Sequence, residues 1–167
     1  MRILIYACSL SPNSRSALLA GALRNEVMRR GGYMVEVVDL RDHPLPLCDG
    51  QAATGGGAVE RLAAQAEAAD AVVLCVPIYN FGVNAAAKNL VEWIGRSWSG
   101  KPVGFMCAAG GQGSYMSVMP LANSLMLDFR CRVVPRFVYA TWDAFDGDAL
   151  GAELLPRVGG LADDLLG

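Results

Sequence analysis

The segment Ser9-Leu10-Ser11-Pro12-Asn13-Ser14-Arg15-Ser16 gathers four serines, an asparagine and an arginine into eight residues. It follows the apolar run Ile3–Ala7 and leads into a helical pattern. Donors placed between a strand and a helix converge with free backbone N–H groups and the positive end of the helix dipole. That combination suits a dianion such as phosphate. Capping the helix would need one such residue, not five. Ser9, Ser11, Asn13, Ser14, Arg15 and Ser16 are therefore candidate phosphate ligands.

Two further segments carry complementary chemistry. In Pro77-Ile78-Tyr79-Asn80-Phe81-Gly82, Pro77 is expected to end a strand and Gly82 to supply a turn with positive φ. Tyr79 and Phe81 offer ring faces, while Asn80 and backbone N–H groups offer polar edges. Either aromatic taken alone is as consistent with packing beneath the loop. Ala109-Gly110-Gly111-Gln112-Gly113-Ser114-Tyr115 places three glycines in four residues, which lets backbone approach a ligand closely. Together the three segments imply a phosphorylated planar heterocycle.

The elements that must position them are legible as alternating patterns. Apolar runs at Ile3–Ala7, Met34–Val38, Ala71–Val76 and Val103–Ala108 are followed by a weaker fifth, Val133–Ala140, interrupted by Pro135. The first, third and fourth lack polar alternation, as parallel strands covered on both faces do. Glu36 in the second points to a place nearer the sheet edge. Helical repeats occupy 15–30, 57–69, 85–96 and 115–128. A C-terminal one over 148–166 contains Pro156 and Gly159-Gly160, which could split it. Strands alternating with helices predict an α/β protein, a doubly wound five-stranded parallel sheet with helices on both faces. Ligands then bind at the carboxyl ends of the strands, near the reversal of strand order. Two longer loops, 41–56 and 141–147, are expected to be mobile.

Composition narrows the classes. The 167 residues suit a single domain, 1–167, and with 53% hydrophobic and 18% charged residues disorder is not expected. A formal charge of −2 without a basic run argues against a nucleic-acid partner. No apolar stretch reaches the roughly 18–20 residues needed for membrane insertion. The chain starts directly in a strand with no secretory leader, so a cytoplasmic address is expected. Five scattered cysteines form no C-x-x-C pair, and Cys75 and Cys107 read as core residues. His43, the single histidine, lacks partners for a metal site or a triad.

Neither G-x-G-x-x-G nor G-K-[ST] is present, and no acidic cluster follows the first strand. Cys8 and Arg15 approach the C-x5-R-S pattern of low-molecular-weight tyrosine phosphatases. Six residues separate them, however, and the chain has no Asp-Pro pair to resemble that family's general acid.

With Ser9, Ser14, Arg15 and Ser16, then Pro77, Tyr79, Asn80, Lys88 and Asn89, then Gly110, Gly111 and Gly113, the chain resembles the NADPH-dependent FMN reductases over residues 2–140. These are flavodoxin-like proteins, and the Ser-Arg-Ser ending looks most like the sulfonate-utilisation branch. Cys8 stands where that family usually has glycine, and Ser11 where arginine is often seen. The resemblance implies FMN held by its phosphate in the first loop and by its ring between the other two. It implies hydride transfer from NADPH or NADH through the flavin to a small acceptor such as free flavin or a quinone. No protein acid, base or nucleophile is needed, since the cofactor carries the chemistry. Lys88 reads as a solvated helix residue. The resemblance also implies a homodimer or homotetramer, with Trp93, Ile94 and Trp98 at the interface or simply in the core. The alternative is a flavodoxin-like electron carrier that binds FMN without turnover; a phosphatase-like hydrolase stands third.

Overall fold

The computed structural model describes residues 1–167. In chain order the elements are β1 (Arg2–Ala7), α1 (Arg15–Arg30), β2 (Met34–Asp39), α2 (Ala52–Ala68), β3 (Ala71–Tyr79), β4 (Gly82–Val83), α3 (Ala85–Ile94), β5 (Pro102–Ala108), α4 (Met119–Phe129), β6 (Arg132–Val133), β7 (Val138–Ala140), β8 (Phe145–Asp146), β9 (Ala149–Leu150) and α5 (Leu155–Leu166). The main sheet runs β2-β1-β3-β5, with β6 and β7 both parallel to β5 on its far side. These two pieces are the expected fifth strand, divided around Pro135, which has no N–H for a ladder. The order is that of a flavodoxin-like doubly wound sheet. Its edge strand is β2, as Glu36 suggested.

Successive side chains of a strand point to opposite faces, so each central strand feeds two cores. Leu4, Tyr6 and Cys8 join a buried layer of 27 residues with α2, α3 and α4, including Leu62, Leu90, Ile94 and Leu125. Ile3, Ile5 and Ala7 join a second layer of 21 residues with Leu19 and Leu23 of α1 and Val158 and Leu161 of α5. The α1 helix therefore leaves β1 toward one face, and α3 leaves β3 toward the other. Their departure in opposite directions opens a crevice at the carboxyl ends of these two strands.

Several local expectations change. The β3 strand does not stop at Pro77 but continues to Tyr79, with Pro77 opposite Ala108 of β5. Its pairing with β1 ends at Cys75, so on that side the missing proline N–H leaves no neighbouring strand unpaired. The α2 helix starts at Ala52, but Gly56 (φ 55°) interrupts it, so the regular helix follows the apolar repeat. Pro120 and Pro156 both sit in first turns, where no N–H is needed, and α5 runs unbroken through Gly159-Gly160. Trp98 and Ile94 are buried in the chain's own core, Trp98 against Tyr6, and so are not interface residues.

The loop over 41–51 is tied down. Asn89 accepts from the Cys48 N–H (2.8 Å) and donates to the Pro46 carbonyl (2.9 Å), which also accepts from the Trp93 indole (2.8 Å). No helix is long and apolar enough to cross a membrane.

The carboxyl end of α2 is closed by one side chain. Lys101 Nζ donates to the carbonyls of Ala66, Glu67 and Ala69 at 2.6–2.8 Å. Lys101→Met leaves these acceptors without their cation, and is expected to lower stability by about 1–3 kcal/mol in urea unfolding.

Candidate functional site

Between β1 and α1 the chain satisfies some polar groups and leaves others free. Ser14 caps the helix, its Oγ accepting from the Ala17 N–H at 3.0 Å. The first backbone bond runs from the Leu18 N–H to the Ser14 carbonyl, so the N–H groups of Arg15 and Ser16 lie ahead of the ladder. Ser9 Oγ accepts from the Ser11 N–H (3.2 Å) and holds the loop's turn. The Ser16 hydroxyl is fully buried and has no hydrogen-bond partner.

The loop is braced from β2. The Arg41 guanidinium pairs with Asp39 (2.6 Å) and donates to the Pro12 carbonyl (3.0 Å). Burial pushes the Asp39 carboxyl up, but bonds from the Arg41 side chain and N–H more than offset this and hold it below the ordinary range. Cys8, by contrast, is buried, and that burial, reinforced by the Asp39 charge, pushes its thiol far up. A phosphatase needs a thiolate facing the phosphate. Cys8 instead points into the core layer beneath the loop, which removes the nucleophile from that reading.

The second loop is a two-residue hairpin between β3 and β4, pairing Tyr79 with Gly82. Its central residues, Asn80 (φ 51°) and Phe81 (φ 60°), carry the positive φ angles that Gly82 was expected to supply. Both angles positive is the turn that matches strand twist. Asparagine tolerates that region; phenylalanine is strained in it. Phe81 is nonetheless 74% exposed. The following Asn84 is buried, and its Nδ2 donates to the Cys8 carbonyl (2.7 Å), tying the second loop to the first.

The third loop is shaped from β7. The Tyr139 hydroxyl donates to the Gly111 carbonyl (2.9 Å) and lies 2.6 Å from Ser114 Oγ. A Cβ added at Gly111 or Gly113 would meet open space, whereas one at Gly110 would lie 3.3 Å from the Trp142 indole nitrogen. The glycines thus leave bare backbone on the crevice side.

These loops enclose two adjoining clefts. The first, about 350 Å³, is lined by Ser9, Ser11, Asn13, Arg15, Ser16, Pro77, Ile78, Tyr79, Ala108, Ala109, Gly110 and Trp142. The second, about 370 Å³, is lined by Ile78, Asn80, Phe81, Gly110, Gly111, Gly113 and Ser114. Ile78 and Gly110 belong to both, so hydroxyls and the helix end lie on one side and aromatics with bare backbone on the other. Four candidates stand outside the walls. Ser14 is used as the cap, Gly82 lies in β4, Gln112 bonds Thr141 (3.4 Å), and Tyr115 packs on Phe137 and Tyr139. Trp142, Ala108 and Ser114 are wall residues that the sequence reading did not select. Trp142 follows the fifth apolar run, so the carboxyl-end rule that chose the other loops reaches it too. The sequence of its segment predicts a mobile loop, whereas it forms a short turn leading into the β8–β9 hairpin.

Comparison with known proteins supplies a family and a fold. The sequence profile of the NADPH-dependent FMN reductase family matches residues 1–144. An NADPH:quinone oxidoreductase of Arabidopsis thaliana is 29% identical over 150 residues, 77% of this chain and 76% of that one. A flavoenzyme NAD(P)H:(acceptor) oxidoreductase from Paracoccus denitrificans superposes with a TM-score of 0.78 at 24% identity, covering 99% and 97% of the two chains. Oxidised flavodoxin 1 from Bacillus cereus superposes at 0.69 with 13% identity, covering 99% and 97%. These two structures speak to the fold.

Two outcomes follow from the site's internal forces. Phe81→Gly relieves a left-handed residue and is expected to raise stability by about 1 kcal/mol in thermal or urea unfolding. Asp39 has its folded-state pKa below its unfolded value near 3.8, so its contribution is full above that value and is lost as pH falls through the folded pKa. The stability difference between the native chain and Asp39→Asn, on the order of 0.5–1 kcal/mol for a partly exposed pair, is therefore expected at neutral pH and should vanish in acid unfolding curves.

Proposed function

Because the chain belongs to the NADPH-dependent FMN reductase family, we propose that the two adjoining clefts are one FMN site, with the phosphate on the α1 side and the ring between the hairpin and the glycine loop. The protein is an FMN-dependent NAD(P)H oxidoreductase. The single observation that carries the placement is the Ser16 hydroxyl. It is buried, without a partner, beside two free N–H groups at the positive end of a sixteen-residue helix. A buried polar group left unpaired is unfavourable, and a phosphate oxygen supplies the missing acceptor.

Ser9, Ser11, Asn13, Arg15 and Ser16 hold the phosphate in this reading. Ile78 and Tyr79 bound the ring slot from one side, and Gly110 and Gly111 from the other. Bound FMN supplies the hydride chemistry, accepting from NADPH or NADH and donating to the acceptor. What the chain does is position and polarise. Backbone N–H groups at Asn80 and Gly111 are placed to stabilise negative charge on the ring's rim. The Tyr139–Gly111 bond fixes the loop that presents one of them. The exposed faces of Tyr79 and Phe81 border the open side, where a flat nicotinamide and then a flat acceptor, a quinone or free flavin, can stack.

A cytoplasmic location and assembly as a homodimer or homotetramer belong to the same reading. Exposed Met116, Met119, Met126 and Leu127 on and before α4 are apolar surface of the kind subunits cover.

Purified protein titrated with FMN is expected to show saturable binding and a flavin absorbance band, which NADPH or NADH bleaches and a quinone restores. Binding without bleaching would make it the electron carrier, and no saturable binding would remove the reading altogether. Ser16→Ala separates the two roles of that hydroxyl. Without flavin it removes an unsatisfied group and should raise stability by about 1 kcal/mol; with flavin it should weaken FMN binding roughly tenfold. A drop in both would mark Ser16 as a packing residue only.

A further inference from the structure

Arg15 stands where elementary electrostatics disfavours it. It opens α1, so its charge lies at the positive end of the helix dipole. None of the chain's ion pairs includes it. Its guanidinium is held by aromatic rings instead, with Cζ 3.4 Å from the Trp142 centroid and 4.9 Å from that of Phe145. Trp142 lines the same cleft as Ser9 and Ser16 while 62% of its surface stays exposed.

The turn that presents Trp142 is anchored on both sides. The hydroxyl of Thr141, the residue before it, bonds the Asp143 carboxylate and receives the Gln112 side chain at 3.4 Å. Phe145 sits in β8, paired with Leu150 of β9. Phe145 also lies just beyond the residues that the family profile matches.

Stacking uses the flat face of a guanidinium and leaves its in-plane N–H edges free. Those edges suit a phosphate in the two-bond manner that arginine favours. An unstacked arginine would lose side-chain entropy on binding, whereas one already held against aromatic rings loses less. We infer that Trp142, backed by Phe145, is a positioning residue. It keeps Arg15 unpaired and aimed into the cleft, so that the protein selects phosphorylated over unphosphorylated flavin. The inference rests on the FMN site proposed above and assigns its phosphate selectivity to an aromatic pair at the mouth of the phosphate cleft.

The test compares two ligands that differ by that phosphate. Protein freed of flavin is titrated with FMN and with riboflavin, following the quenching of flavin fluorescence. Trp142→Leu is expected to raise the Kd for FMN about tenfold and to leave that for riboflavin within about twofold. Trp142→Phe keeps most of the selectivity, and Phe145→Leu loses part of it. In an Arg15→Gln background, Trp142→Leu should have no further effect on FMN. Equal weakening toward both ligands would make Trp142 a wall of the cleft with no positioning role and overturn the inference, as would an unchanged FMN Kd. If Trp142→Leu does not fold, the comparison is decided on Trp142→Phe and Phe145→Leu, where unchanged selectivity in Phe145→Leu overturns it. Native protein that binds FMN while every variant keeps its selectivity overturns the inference alone. Native protein that binds no FMN overturns the site reading and the inference with it.

Discussion

The crevice is held at its centre by one buried hydrogen bond, from the Asn84 amide to the carbonyl of Cys8. β1 and β3 lie side by side, yet the helices that follow them leave toward opposite faces of the sheet. The loops at their ends are therefore free to separate, and this bond joins them. A second bond, from the Asn84 N–H to the Pro77 carbonyl, closes the hairpin segment onto the same residue. The loop carrying hydroxyls and the loop carrying aromatics thus share one anchor. The spacing between them is set by these hydrogen bonds rather than by loop length. A cofactor with a phosphate at one end and a ring at the other needs that fixed spacing.

What surrounds the anchor is a pattern of deliberate omissions. The Ser16 hydroxyl and the Asn84 Oδ1 are buried without partners, Arg15 has no counter-ion, and Phe81 occupies a backbone region that phenylalanine avoids. Each is unfavourable alone; Ser16, Arg15 and Phe81 line the two clefts, and Asn84 ties the loops around them. Elsewhere Lys101 closes the end of α2 and Asn89 and Trp93 pin the 41–51 loop, while the Tyr6 hydroxyl and the Trp98 indole N–H are unpaired in the core and Arg130 ends α4 at φ 55°. What sets the crevice apart is that a polar group, a charge and a strained backbone, each lacking compensation, meet along one pair of adjoining clefts, as fold stability sustaining a site allows.

The architecture was readable because fully buried parallel strands need unbroken apolar runs, and Ile3–Ala7, Ala71–Val76 and Val103–Ala108 have them. Pro135 was equally legible, since a proline must interrupt a ladder. Pro77 was misread because whether a proline ends a strand depends on which neighbours remain to be paired, and that is fixed by sheet order. The positive φ angles fell on Asn80 and Phe81, not on Gly82, because hairpin register decides which residues occupy the turn. The phosphate-side residues stood out since one short segment holds them all. Trp142 did not, because it enters the cleft from a turn that follows the last strand of the sheet, more than a hundred residues later.

Sheet position also decides the chemical fate of the thiols. Cys8, Cys75 and Cys107 lie on three central strands or their ends, fully buried, and burial raises all three thiols, Cys107 to about 12. Oxidation proceeds through exposed thiolate. A protein that passes electrons at the carboxyl end of its sheet therefore keeps most of its thiols a few strand residues away, protonated and out of reach of peroxide. Cys48 alone is partly exposed, in the loop that Asn89 pins, so oxidative damage to cysteine in this protein begins there and not at the proposed flavin cleft.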